Sequence, residues 1–210
     1  MLYAVTDRSL LRENQLAGRV EQAIMGGATM VQLREKNLST REFINIAAEI
    51  KKVTGQYNIP LIINDRLDVA LAVDAAGLHV GQDDMPANTA RRLLGKDKIL
   101  GVSVTHVAEA IMAEKDGADY LGAGAVFPTG TKSDAGLVER PELEGITRAV
   151  GIPVVAIGGI NETNALLLKG TGIHGIAVVS AIFGKDNPFK AAVDLKRLAE
   201  LIVDKASIRE

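Results

Sequence analysis

The chain has 210 residues, of which 47% are apolar and 24% charged, with a formal net charge of −2. That length suits one domain, residues 1–210, with a sizeable core, and the near-neutral charge gives no electrostatic case for nucleic acid or an acidic membrane. Only 3% of residues are aromatic, with no Trp, which argues against base-stacking platforms, and the lack of Cys excludes disulfides and thiolate chemistry.

Cysteine-free composition fits a reducing cytosol. The start, Met1-Leu2-Tyr3-Ala4-Val5-Thr6-Asp7-Arg8, lacks the basic stretch and long apolar run of a signal peptide. No segment approaches the roughly 20 uninterrupted apolar residues of a membrane helix. A soluble, cytoplasmic protein is expected.

In chain order, short β-branched runs alternate with amphipathic segments. Strand Leu2–Thr6 precedes helix Gln15–Met25, and strand Met30–Arg34 precedes helix Thr40–Thr54, whose Phe43, Ile44, Ala47, Ile50 and Lys51 share one face. Strand Leu61–Asn64 leads to helix Leu67–Asp74, Gly77–Val80 to Ala87–Leu94, and Ile99–Ser103 to Val107–Lys115. Strand Tyr120–Gly122 leads to helix Pro141–Val150, Val154–Ile157 to Glu162–Lys169, and Gly175–Val179 to Pro188–Ile202. Gly-Ala or Gly-Ile pairs before strands, such as Gly27-Ala28 and Gly151-Ile152, read as helix C-caps.

About eight β-then-α units require parallel strands, because each helix returns the chain to the same end of the sheet. That repeat predicts a closed (β/α)8 TIM barrel. An open dinucleotide-binding sheet would want G-x-G-x-x-G after its first strand; here Thr6 is followed by Asp7-Arg8-Ser9-Leu10. The long connection between Gly122 and Pro141 carries Pro128-Thr129-Gly130-Thr131-Lys132-Ser133-Asp134, and long loops in compact folds are often functional.

Such barrels act at the C-terminal ends of their strands. Gln32, Arg34 and Lys36 fall on one parity at the end of the second strand, and cations pointing into a protein need an anion. Asp65 and Asp84 follow adjacent strands. They read either as ligands of one hard cation, Mg²⁺ rather than zinc, or as a helix N-cap and a solvated loop acid. Arg34, Lys36 and Lys132 would crowd the same mouth, where a Mg-bound diphosphate would balance them; alone, each lysine also reads as a solvated charge. His79 reads as a packed strand residue, and His106 and His174 as surface or loop histidines. Gly158-Gly159 and the helix opened by Ser180 read as a monophosphate site, or as glycines serving tight turns. Two phosphate sites in one barrel suggest the joining of two phosphorylated substrates.

Val31–Lys36, Asn64-Asp65-Arg66, His79–Asp84, Gly101-Val102-Ser103, Phe127–Lys132, Ile157–Ile160 and Val179–Ile182 resemble, in order and spacing, the thiamine-phosphate synthase family. The resemblance implies a TIM barrel that couples hydroxymethylpyrimidine diphosphate to a thiazole monophosphate, its carboxylated tautomer included, with Mg²⁺. It implies that Gln32, Leu33, Arg34, Glu35, Lys36, Asn64, Ser103 and Lys132 hold the pyrimidine diphosphate, Gln32 facing the aminopyrimidine. Among these, Arg34, Lys36, Ser103 and Lys132 would be catalytic. Asp65 and Asp84 match the family's Mg²⁺ ligands; Thr129, Gly130, Thr131, Gly159, Val179 and Ser180 match its thiazole-phosphate contacts.

Two other readings stay open: a related thiazole tautomerase, and a non-catalytic phosphate-binding regulator on the same barrel. The tautomerase resemblance is weaker, because this chain keeps Gly81–Asp84 and has Ala125 where that subfamily carries His. Partners are expected to be small-molecule substrates, with neither nucleic acid nor membrane, and self-association into a homo-oligomer is left open.

Overall fold

The computed structural model describes residues 1–12, 14–130 and 137–203. Eight strands form a closed, all-parallel barrel in sequence order: β1 (Leu2–Val5), β2 (Met30–Leu33), β3 (Leu61–Asn64), β4 (Gly77–Val80), β5 (Ile99–Val104), β6 (Tyr120–Ala123), β7 (Val154–Ile157) and β8 (Gly175–Val178). Closure is direct, with Tyr3 opposite Ala177 on one side and Met30 on the other. The expected (β/α)8 barrel is therefore the observed one.

The helices are α1 (Leu16–Met25), α2 (Thr40–Gln56), α3 (Leu67–Ala72), α4 (Ala87–Leu94), α5 (Val107–Lys115), α6 (Arg140–Ala149), α7 (Ser180–Phe183) and α8 (Pro188–Ile202). The start of α2 is set by a capping box: the Glu42 N–H donates to the Ser39 hydroxyl, and the Ser39 N–H donates to the Glu42 carboxylate. Among the described residues no helix is long and apolar enough to cross a membrane.

Strand residues alternate between two apolar layers. One parity, including Leu2, Val31, Ile63, Leu78, Val102 and Ile176, packs outward against the helices. The other, Tyr3, Val5, Met30, Ile62, Tyr120, Val155 and Ala177, fills the barrel. Gln32, Asn64 and His79 lie on this inward parity and are buried. Gly101 makes room for that filling: a Cβ there would run into the Tyr120 hydroxyl and His79 Nδ1.

The seventh unit departs from expectation. The predicted helix Glu162–Lys169 is only a 3₁₀ turn, Ala165–Leu168. The Thr163 N–H donates to Asn161 Oδ1 and the Asn161 N–H to Asn164 Oδ1, so side chains take backbone donors that a helix would use. Three consecutive leucines also cannot share one helical face; Leu168 is buried while Leu166 and Leu167 are exposed.

Candidate active site

At the end of β3 the backbone turns sharply. Asp65 has φ +61°, the Arg66 N–H donates to the Asn64 carbonyl at 2.7 Å, and the Asp65 N–H donates to the His79 carbonyl at 2.8 Å. Such a three-residue turn in the left-handed region is uncommon, and Asp tolerates it better than most residues. The next residue braces it from outside. The Arg66 guanidinium donates to both Asp68 carboxylate oxygens, at 2.9 and 2.6 Å, and to Thr40 Oγ1 at 2.7 Å, tying α3 to α2. Asp65 is therefore not the N-cap of α3; that position is Arg66, which makes no capping hydrogen bond.

Asp84 is exposed, and its carboxylate is tied to the backbone of its own loop. Its Oδ2 accepts the Gly81 N–H at 2.7 Å, a close approach allowed by the missing side chain at Gly81. The Asp84 carboxyl also lies close enough to act on Asp65 through hydrogen bonding and charge. Burial, then this neighbour's hydrogen bond and charge, push Asp65 up to about 7, against the opposing pull of Arg34 and the Asn64 amide. Among the described residues no three or more His, Cys, Asp or Glu side chains converge as a ready-made metal cage.

This shift has a sign. Folding favours protonated Asp65, so the stability gained is complete below the ordinary value of 3.8 and disappears as pH rises through about 7. The ligand-free protein should lose thermal stability relative to Asp65→Asn between roughly pH 4 and pH 7. Melting curves of both across that range check it, and a constant difference would contradict the assignment.

The other predicted residues are placed as follows. Arg34 sits just past β2, half-buried, its N–H donating to Thr6 Oγ1 at 3.1 Å and its charge acting on Asp65. Lys36 is exposed. Leu33 points into the outer apolar layer, so only its backbone is left to meet a ligand at the mouth. Glu35 Oε1 lies 2.9 Å from Arg8 Nε as an ion pair, without a well-aimed hydrogen bond. Burial raises Glu35, with Arg8 opposing. Ser103 Oγ is 2.9 Å from His79 Nε2, and the Ser103 carbonyl accepts from Gln82 Nε2 at 2.7 Å.

Across the mouth, Gly158 and Gly159 have φ +99° and +65°. A Cβ at Gly159 would lie 2.5 Å from the Pro128 carbonyl oxygen. The Phe127 N–H donates to the Gly158 carbonyl at 3.1 Å, so the Phe127–Gly130 segment is laid directly on the glycine turn. Thr129 is half-buried and Gly130 exposed; Val179 immediately precedes α7, and exposed Ser180 opens it. Thr131 and Lys132 lie outside the described residues.

Sequence reasoning did not find the roles of Tyr3 and Tyr120. Both point into the barrel, where Gln32 Nε2 donates to the Tyr3 hydroxyl at 2.8 Å and the two hydroxyls are 2.8 Å apart. The signal was present: each shares its strand's inward parity, and a buried phenol needs a partner. His79, read as a packed strand residue, is buried as expected, with Nδ1 2.8 Å from the Tyr120 hydroxyl.

Residues 2–182 match the family model described as thiamine monophosphate synthase. A thiamine-phosphate synthase of Clostridium tetani is 56% identical over 194 residues, covering 92% of this chain and 93% of that one. Another, from Ruminiclostridium cellulolyticum, is 55% identical over 205 residues, 98% of this chain and 96% of that one. The solved thiamine phosphate pyrophosphorylase of Pyrococcus furiosus superposes with a TM-score of 0.89 at 44% identity, covering 97% and 96% of the two chains. With a family model spanning most of its length and relatives this similar, the chain belongs to the thiamine-phosphate synthase family.

Proposed function

We propose that this chain is an enzyme joining 4-amino-2-methyl-5-hydroxymethylpyrimidine diphosphate to a thiazole phosphate, releasing diphosphate and forming thiamine phosphate. The observation that carries it is the Asp65–Asp84 carboxyl pair at the ends of adjacent strands, with Arg34 beside it, in a chain of this family. Two carboxyls pressed together want a cation between them. A pair, rather than a cage of three or more, suits Mg²⁺, which keeps waters and takes one or two carboxylates plus substrate phosphates. Asp65 and Asp84 would hold it. When bound, Mg²⁺ supplies positive charge to the leaving diphosphate.

The chain's own residues do the rest. The bond between the pyrimidine's methylene carbon and the diphosphate oxygen breaks, its electron pair leaving with the diphosphate. Arg34, Lys36, Lys132 and Asn64 receive that charge, with Ser103 beside them. The aminopyrimidine, held by Gln32, delocalises the positive charge left on carbon. The thiazole nitrogen then donates its lone pair to that carbon; a carboxylated thiazole also loses CO₂, and the ring carbon that keeps the bonding pair takes up a proton. Thr129, Gly130, Thr131, Gly159, Val179 and Ser180 hold the thiazole phosphate across the mouth, which supplies proximity. No side chain acts as nucleophile.

Incubation with both substrates and Mg²⁺ should yield thiamine phosphate and diphosphate in equal amounts. Isomerised thiazole phosphate alone would instead identify a tautomerase, and binding without product a regulator.

A further inference from the structure

Barrel interiors of this class are usually filled by branched aliphatic side chains. Here an unbroken hydrogen-bonded chain crosses the interior: Gln32 Nε2, the Tyr3 hydroxyl, the Tyr120 hydroxyl, His79 Nδ1, and from His79 Nε2 to Ser103 Oγ, with links of 2.8, 2.8, 2.8 and 2.9 Å. Tyr3 and Tyr120 are 2% and 4% exposed, and Gln32 4%. We propose that this Tyr3–Tyr120–His79 chain is a positioning device that fixes which end of the Gln32 amide faces the mouth, and so selects an amino over an oxo substituent on the pyrimidine. The inference rests on the proposed function and deepens it.

Each phenol has one O–H, and burial pushes both phenols up, so neither loses it. With Gln32 Nε2 donating to Tyr3, the satisfied arrangement runs head to tail. Tyr3 O–H donates to Tyr120, Tyr120 O–H donates to His79 Nδ1, and His79 Nε2–H donates to Ser103 Oγ. The reverse polarity would require Gln32 to turn its carbonyl oxygen toward Tyr3. Amide orientation, imidazole tautomer and hydroxyl direction are therefore one linked choice.

In the forward arrangement Gln32 Oε1 is left over. It takes no part in the Tyr3–Tyr120–His79 chain, which uses the Nε2 end of the amide. A lone acceptor there matches an N–H donor on the ligand. An exocyclic amine satisfies it, whereas an oxo group would place acceptor against acceptor. At the other end the Ser103 O–H is released to donate into the mouth.

The test compares kcat/KM for the 4-amino pyrimidine diphosphate and its 4-oxo counterpart in wild type, Tyr3→Phe and Tyr120→Phe. The amino-over-oxo ratio should fall about 10-fold or more in Tyr3→Phe, and less in Tyr120→Phe. Val155→Ala, in the same interior layer, should lower thermal stability and leave the ratio unchanged. A wild-type ratio in both tyrosine variants, or an equal fall in Val155→Ala, would overturn the proposal. ¹⁵N NMR of the His79 ring gives a reading without substrate: protonation at Nε2 supports the chain's direction, and at Nδ1 overturns it. Wild type that makes no thiamine phosphate would reject the functional reading itself, and this proposal with it. Normal turnover with an unmoved ratio would reject the positioning role alone.

Discussion

Asp65→Ala is expected to cut turnover by about 10²–10³, the usual cost of removing one electrostatic contact to developing charge. Asp65 is spent on the site rather than on the fold. It caps no helix, and its burial beside Asp84 is unfavourable to the charged form. Its removal should therefore leave the circular dichroism of the barrel intact. Asp65→Asn keeps a side chain that tolerates φ +61° and should lose nearly as much rate, separating lost charge from a collapsed turn. Asp84→Ala should resemble Asp65→Ala, and the double variant should fall well short of the product of the single effects, because the pair acts as a unit. Lys132→Ala should also lose turnover sharply. Near-normal kcat in Asp65→Ala and Lys132→Ala would remove both assignments.

The second large effect is expected at Gly159. Alanine there must adopt φ +65° and push its Cβ to within 2.5 Å of the Pro128 carbonyl oxygen and 2.8 Å of Phe127. Left-handed strain and overpacking together should cost about 2–4 kcal/mol. The damage should fall on the thiazole-phosphate half of the mouth, because it displaces the segment that carries Thr129. Urea unfolding measures the stability loss; a higher KM for the thiazole phosphate, at unchanged affinity for the pyrimidine diphosphate, measures its location. An unchanged denaturation midpoint would contradict the packing argument.

The barrel was legible because its repeat is written in side-chain periodicity. Strand runs buried on both faces, separated by amphipathic helices that end before a glycine, leave few other topologies. The seventh helix was misread because Leu166 to Leu168 look helical by composition. The competing Asn161 and Asn164 bonds depend on where those side chains point. In the site, spacing placed Gln32, Arg34, Asp65 and Asp84 at neighbouring strand ends. It did not show that Arg66 is committed to Asp68 and Thr40, or that Glu35 pairs with Arg8. Both partnerships join segments distant in the chain or turned by a loop. The Tyr3–Tyr120 contact joins residues 117 apart in the chain, and only closure of the barrel brings them together.

On the proposed function, Asp65 and Asp84 complete a metal-diphosphate site. Calorimetric titration of diphosphate into the protein, with and without Mg²⁺, tests it most directly and needs no turnover. Binding should be much tighter with Mg²⁺, and that enhancement should be lost in the Asp65→Asn, Asp84→Asn double variant. Equal affinity with and without Mg²⁺, or an enhancement that survives in the double variant, would contradict it.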